Sequence, residues 1–262
     1  VVAVSPGLAR HNRSGLAGLG IDLTQHQLSA RNLLNVERVR RGAQAPAPEA
    51  FTALKNEHDI VLATMGRMSM EKNQAALIEA LALLRKQDGT EGCGAQGLSI
   101  GLAIVGSGVL EATLRARIDS LGLSGHVALL GQMDNPFPVL GGADLFVLPS
   151  LHEGQPVTLL EAMTLGTGVV ASDLPGNREL IDLGYGVLSG TSPQDIAQAI
   201  RSALADPRLA HGDFDVTEHN ARSLRDTLEA VLGPEALHQQ PQGKTASKRR
   251  RRKRAASRGK PA

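Results

Sequence analysis

Two glutamates stand eight positions apart in the stretch HEGQPVTLLEAM, and this spacing suits them to bind hydroxyl groups. Glu153 comes just before a predicted helix that begins at Pro156, a favoured first position because the missing N–H of proline is not needed there. Glu161 falls near the second turn, about 8 Å further along the axis at ~1.5 Å per residue. The alternative interpretation is a helix whose glutamates merely face water.

Backbone groups between the two glutamates could bind an anion. Gly154 and Gln155 form the approach to the helix, and the N–H groups of Val157 and Thr158 have no partner within its first turn. Unpaired N–H groups at a helix start attract phosphate. The pattern therefore predicts hydroxyl-binding carboxylates on either side of a phosphate-binding helix terminus.

Two cations flank the turn GRMSMEK, which begins at Gly66. Arg67 offers a planar fork of donors and Lys72 a point charge, a combination that suits a diphosphate. The same spacing also fits two solvated charges on a loop. A further turn, Gly-Ser-Gly at 106–108, would let a phosphate or a sugar approach the backbone, or it is simply a turn.

Each of these turns follows a short apolar run that is typical of a buried strand. Apolar runs alternate with segments of helical periodicity between about residues 58 and 205, and this alternation predicts parallel βαβ units. The expected fold class is α/β, a Rossmann-like doubly wound parallel sheet. Because ligands bind at the carboxyl ends of such strands, the three turns are expected to converge on one crevice.

Composition supports this fold class and restricts the other possibilities. Hydrophobic residues make up 42% of the chain but aromatic residues only 2%, so the core must consist of Leu, Val, Ile and Ala. Cys93 is the single cysteine, which excludes a disulfide framework and favours a reducing compartment. Neither a signal peptide nor a transmembrane helix is predicted, since the longest uncharged run (92–110) is interrupted by six glycines.

Taken in order, GRMSMEKN, LAIVGSG, LLGQM and ADLFVLPSLHEGQPVTLLEAMTLGTGVVASDLPG resemble the C-terminal, donor-binding domain of glycosyltransferase family 4. That family comprises retaining enzymes of the GT-B fold that use nucleotide-diphospho sugars, and its hallmark pair of glutamates matches Glu153 and Glu161. The resemblance covers about residues 58–205. It implies a hexosyltransferase that acts, with retention, on a glycan, a lipid-linked or a cell-wall polymer acceptor.

The resemblance also implies a role for each matched residue. Arg67 and Lys72 would bind the donor diphosphate and stabilise the leaving group, so that neither a metal nor another cofactor is expected. Glu153 would orient the transferred sugar and Glu161 would bind the ribose. The backbone amides from 154 to 158 would meet the sugar and the phosphates. Gln155 departs from the family, which usually has an apolar residue there; the EGQP variety points to bacterial cell-envelope polymers.

The predicted organisation has four parts. Residues 1–42 resemble only the last strand and the hinge of the acceptor-binding domain that precedes the donor domain in a GT-B enzyme, and 43–57 have linker composition. Residues 58–232 form the donor domain and a terminal amphipathic helix, and 233–262 are expected to be disordered. The alternative function is therefore a truncated donor-binding fragment without independent turnover.

The chain ends in a basic stretch. From Lys244 to Lys260 there are ten Lys or Arg and no acid, so the rest holds 28 − 10 = 18 bases against 26 acids, a net charge of about −8. Such a stretch is expected to attract an anionic membrane surface, which would place a cytoplasmic protein peripherally at the inner face. A solvated tail is the alternative. A nucleic-acid partner is disfavoured because the stretch lacks aromatic residues for stacking.

Overall fold

The computed structural model describes residues 2–3, 28–29, 32–86, 98–183, 185–211 and 214–232. The predicted disordered segment 233–262, with its basic stretch, lies outside the described residues. Most of 1–31 lies outside them as well, so the expected remnant of a preceding domain, 1–42, is described only in two short strands and in residues 32–42.

The strands form two parallel sheets in the described part of the chain. A small sheet pairs β1 (Val2–Ala3) with β2 (Leu28–Ser29). The main sheet has the order β5-β4-β3-β6-β7-β8, and every neighbouring pair is parallel. Its strands are β3 (Ile60–Met65), β4 (Ile100–Val105), β5 (Val127–Gly131), β6 (Leu145–Leu148), β7 (Gly168–Ser172) and β8 (Val187–Ser189).

Helices connect these strands and cover both faces of the main sheet. They are α1 (Val36–Gly42), α2 (Glu49–Glu57), α3 (Gln74–Lys86), α4 (Glu111–Ser120), α5 (Phe137–Gly142), α6 (Val157–Thr164), α7 (Pro175–Ile181), α8 (Pro193–Ala205), α9 (Pro207–Ala210) and α10 (Val216–Leu232). A single turn of 3₁₀ helix, Met70–Lys72, precedes α3.

Alternation along the strands divides the core into two layers. Successive side chains of a strand point to opposite faces, so Leu62 packs with α3, α4 and α8 while its neighbour Val61 packs with α2, α5 and α6. Strands β4, β6 and β7 are buried at every position, as expected for a parallel sheet covered on both faces. The predicted fold class, a doubly wound α/β sheet, is confirmed.

The strand order determines where a ligand can bind. From β3 the chain moves outward through β4 and β5, then returns to the other side of β3 and continues outward through β6, β7 and β8. The order therefore reverses between β3 and β6. In an open parallel sheet, the crevice beyond the carboxyl ends of two such strands is the expected ligand-binding place.

Three helices can be compared with the elements that the sequence predicted. The stretch 43–57 has two prolines, yet it contains α2, which begins directly after Pro48 and buries Phe51 and Leu54. Helix α6 begins at Val157, so Pro156 is the residue before the helix rather than its first residue. The predicted terminal helix is α10.

None of the helices in the described part of the chain combines the length and apolar character that a membrane crossing requires.

Candidate functional site

The turns that follow β3 and β4 pack directly on each other at the crevice. Gly66 N–H donates to the carbonyl of Val105 (3.0 Å), and Met68 N–H donates to the carbonyl of Ser107 (2.9 Å). Gly106 has φ +129°, and a Cβ there would lie 2.1 Å from the Gly66 carbonyl oxygen; one on Gly108 would lie 2.4 Å from that of Met68. The glycines of the Gly-Ser-Gly turn therefore serve this close contact between two turns.

The turn after β3 is also attached to the end of β6. Asn73, in the left-handed conformation (φ 51°), donates from Nδ2 to the carbonyl of Pro149 (3.1 Å). Leu151 N–H donates to the carbonyl of Glu71 (2.7 Å). These bonds bring Lys72 opposite the loop that follows β6. The sequence predicted this convergence of strand ends, but it did not indicate Asn73 as the connection.

Lys72 and Glu153 form the centre of the site. The Lys72 ammonium nitrogen lies 2.5 Å from Glu153 Oε1, and the Ser150 hydroxyl donates to the same oxygen at 2.7 Å. The side chain of Glu153 is only 9% exposed and that of Lys72 29%. The stem of Lys72 runs beside Gly66, where a Cβ would lie 3.4 Å from Lys72 Cδ. Ser150 was not predicted as a site residue. Its position just after a strand and three residues before Glu153 could have indicated it.

Arg67 lies on the same turn and is exposed. Its carbonyl accepts a hydrogen bond from Gln74 Nε2 (2.9 Å), which fixes the backbone at this point. The Ser69 hydrogen bond, with the charges of Arg67 and His152, lowers the pKa of the Glu71 carboxyl. Arg67 makes no ion pair with another described residue and can therefore turn toward an anion in the crevice.

The loop from Glu153 to Pro156 leads into α6. Leu159 N–H donates to the carbonyl of Pro156 (3.2 Å), whereas the N–H groups of Val157 and Thr158 have no acceptor in the described backbone. They form the exposed start of the helix, where the helix dipole also favours negative charge. The start of α6 thus has the two unpaired N–H groups that the predicted anion-binding terminus requires.

The start of α7 presses on this loop from the other side. A Cβ on Gly176 would lie 1.6 Å from the carbonyl oxygen of Gly154, so the two backbones are in direct contact. Gln155 does not face the crevice, since its side chain is 5% exposed and accepts a hydrogen bond from the Asn32 backbone. Gln155 was predicted from the sequence as a donor-binding residue, and nothing in the sequence indicated Asn32 as its hydrogen-bond partner.

Glu161 occupies the second turn of α6 and is half-buried. Burial raises the pKa of its carboxyl to about 7, and the positive charge of Arg38 partly offsets this effect. The Arg38 guanidinium itself lies over the ring of Phe137, 5.7 Å from its centroid. The Glu161 carboxylate has no hydrogen-bond partner among the described residues. A carboxylate of this kind favours a neutral ligand that donates hydrogen bonds, such as a diol.

The chain is similar to known proteins in sequence and in fold. A family model described as "Glycosyl transferases group 1" matches residues 48–213. The chain belongs to this family. It is 31% identical over 205 residues to the amylovoran biosynthesis glycosyltransferase of Erwinia amylovora, an alignment that covers 74% of this chain and 47% of that one.

Further similarity extends to a mannosyltransferase and to solved structures. The chain is 30% identical over 148 residues to a GDP-mannose-dependent phosphatidylinositol dimannoside mannosyltransferase of Mycobacterium tuberculosis, covering 56% of this chain and 36% of the relative. It thus spans less than half the length of either relative. The fold matches that of the Anabaena protein HepE, solved with UDP and glucose, with a TM-score of 0.63 and 21% identity over 91% of this chain and 62% of that one. The predicted membership of a glycosyltransferase family is confirmed at this level.

Proposed function

We propose that this chain binds a nucleotide-diphospho sugar and serves as the donor half of a glycosyltransferase. The observation that carries the proposal is the Lys72–Glu153 pair at the crevice between β3 and β6, with unpaired N–H groups and Glu161 following on α6. These groups match the parts of such a donor, namely two phosphates, a sugar and a ribose. The relatives include a GDP-mannose-dependent enzyme, which supports the class of donor.

Each group then has a role in binding and transfer. Lys72 leaves Glu153 for the diphosphate, and Arg67 turns in from the same turn, so that two cations stabilise the charge that develops on the leaving phosphate. The N–H groups of Val157 and Thr158 bind phosphate oxygens. Glu153, released from Lys72, accepts hydrogen bonds from hydroxyls of the sugar and orients it.

The nucleoside would lie along α6. Glu161 accepts hydrogen bonds from the ribose hydroxyls and thereby fixes the nucleotide about two helical turns from the reacting sugar. With two cations at the diphosphate, the site needs neither a metal nor another cofactor. We further propose membership of family 4, transfer of a hexosyl group with retention, and a glycan, lipid-linked or cell-wall polymer as acceptor.

A second candidate, a donor-binding fragment without turnover, is favoured by the length of the alignments. The chain spans 47% and 36% of the two relatives described above, so the part that holds an acceptor can lie outside it. Calorimetry with UDP and GDP, paired with assays of hydrolysis and transfer from UDP-glucose and GDP-mannose, separates the candidates. Binding with turnover supports a complete enzyme, and binding alone supports the fragment. Absence of binding by either nucleotide would contradict both.

For location, we propose a cytoplasmic protein held peripherally at an anionic membrane surface by the basic stretch 244–260. The ten positive charges of this stretch would give an attraction that weakens with salt. Sedimentation with phosphatidylglycerol vesicles, compared with phosphatidylcholine vesicles and with a chain ending at 243, tests this. Equal sedimentation of the shortened chain would contradict it, and tight salt-dependent DNA binding would favour a nucleic-acid partner instead.

A further inference from the structure

The loop that begins at Glu153 is tied to a distant part of the chain by two hydrogen bonds. Asn32 N–H donates to Gln155 Oε1 (2.6 Å), and Asn32 Nδ2 donates to the carbonyl of Gln155 (2.8 Å). The two residues are 123 positions apart in sequence. Because both bonds join the same two residues, they fix the position and the direction of the loop at this point.

Burial makes this contact specific to an amide side chain. Gln155 is 5% exposed, and its Nε2 has no hydrogen-bond partner among the described residues. It lines a cavity of about 290 Å³ between α7 and α10. Turning the amide over would place its NH₂ group against the Asn32 N–H, so only the observed orientation is favourable. An apolar residue at this position would leave the Asn32 N–H without its acceptor.

The segment that contains Asn32 is held equally firmly on its other side. Leu34 N–H donates to Asn220 Oδ1 (3.0 Å), and Asn220 Nδ2 donates to the carbonyl of Leu34 (2.8 Å). Asn220 belongs to α10, which also lies against β2. The residues 32–34 therefore join the small sheet and α10 on one side to the donor loop on the other.

The other contacts of the loop come from the main sheet and its helices. Glu153 is held by Lys72 and Ser150, and Gly154 lies against the start of α7. Of the loop contacts in the described part of the chain, the bonds of Gln155 to Asn32 are the ones that come from residues preceding α1. They are therefore a direct route by which a displacement of that region would reach the loop.

We infer that Gln155 is a positioning residue that couples the segment 32–34 to the donor loop. This inference rests on the proposed function, because the purpose of the coupling is to set the amides of the loop and Glu153 for the donor. A shift of the N-terminal part of the protein, on acceptor binding or domain closure, would be passed through Asn32 to residues that contact the sugar and phosphates. The Gln155 side chain acts through the loop and does not itself contact the donor.

Two variants test the coupling by independent changes. Gln155→Met keeps the length of the side chain and removes the acceptor, whereas Asn32→Ala removes the second bond only. Gln198→Met, on an exposed position of α8, is the matched control. Hydrogen exchange of the amides from 153 to 158 is measured in the absence of ligand, with the amides of β4 as an internal reference for global unfolding. UDP and GDP affinities are measured in parallel by calorimetry.

The coupling predicts faster hydrogen exchange in the loop of both variants and unchanged exchange in β4. Nucleotide affinity should fall about five- to tenfold, which corresponds to the loss of roughly one ordinary hydrogen bond. The double variant should lose less than the product of the two single effects, because both bonds serve one contact. Loop exchange equal to the wild type in both folded variants would overturn the inference. Exchange needs no ligand, so a chain that fails to bind nucleotide refutes the proposed function while the coupling is still tested.

Discussion

The Lys72 ammonium and the Glu153 carboxylate lie 2.5 Å apart, and a nucleotide sugar would have to separate them. In the free protein the Lys72 ammonium balances the charge of the Glu153 carboxylate, whose side chain is only 9% exposed. The other hydrogen-bond partner of this carboxylate is the Ser150 hydroxyl. A nucleoside diphosphate would take Lys72 away and leave Glu153 without its cation. A nucleotide sugar would replace that cation with hydroxyl donors, so the pair would discriminate between the two ligands.

Glu153→Gln is therefore expected to bind UDP or GDP more tightly than the wild type, by about fivefold, because Lys72 no longer has to leave an ion pair worth ~1 kcal/mol. The same variant should bind UDP-glucose no more tightly than UDP, and GDP-mannose no more tightly than GDP. Calorimetry with UDP, UDP-glucose, GDP and GDP-mannose measures both effects. The matched control is Glu79→Gln, which breaks the ion pair with Arg117 on exposed helix surfaces. Weaker binding of UDP and GDP by Glu153→Gln would contradict this account.

Glu161 predicts a pH dependence of stability. Its carboxyl has a pKa raised by burial from 4.5 to about 7. Between these values the folded chain keeps a proton that the unfolded chain has released, so this group's contribution to stability decreases as the pH rises from about 4.5 to about 7. The free energy of unfolding of Glu161→Gln, relative to the wild type, should rise across that window and level off above it.

Urea unfolding at several pH values between 4.5 and 8 measures this difference. Glu57→Gln, an exposed glutamate at the end of α2, controls for the change of charge. The free energy of unfolding is then plotted against pH for both proteins. Plots for Glu161→Gln and the wild type that stay parallel between pH 4.5 and about 7 would show that burial does not raise the pKa of the Glu161 carboxyl.

Gly176 predicts a steric effect on the donor loop. A Cβ there would lie 1.6 Å from the carbonyl oxygen of Gly154, and a backbone atom cannot turn aside as a side chain does. Gly176→Ala is expected to lower the free energy of unfolding by about 1–3 kcal/mol and to weaken nucleotide binding, because the loop or α7 must move. Gly125→Ala is the control, since a Cβ at Gly125 meets nothing within 4 Å. Equal stability of the two variants would rule out the contact.

Much of this fold could be predicted because the information is local. Buried parallel strands appear as short apolar runs, and GRMSMEK and HEGQPVTLLEAM mark strand ends that lead into helices. The strand order placed these ends together, as expected for an open parallel sheet. Helix α2 shows the limit of composition, since prolines 46 and 48 suggested a linker while Phe51 and Leu54 give it a buried face.

The contacts between distant residues could not be predicted. Nothing near Gln155 in sequence indicates that its side chain turns from the crevice to Asn32, because that partner is set by how α10 and the segment 32–34 pack. Likewise, Lys72 and Glu153 were both expected to bind a donor, yet their pairing in its absence depends on a distance that only the folded chain defines. A single sequence indicates which groups reach the crevice, and the packing decides what they bind there.

In the proposed function, Lys72 binds the diphosphate of a nucleotide in the crevice between β3 and β6. Calorimetric titration of UDP and GDP into Lys72→Met tests it most directly, with Lys55→Met as control because Lys55 is paired with Asp144 at the opposite ends of these strands. We expect the wild type and Lys55→Met to bind at least one of the nucleotides equally well, and Lys72→Met to lose at least tenfold in affinity, since charge-assisted bonds to phosphate are worth more than ~1.5 kcal/mol. Equal binding by Lys72→Met and the wild type, or no binding by the wild type, would contradict the account.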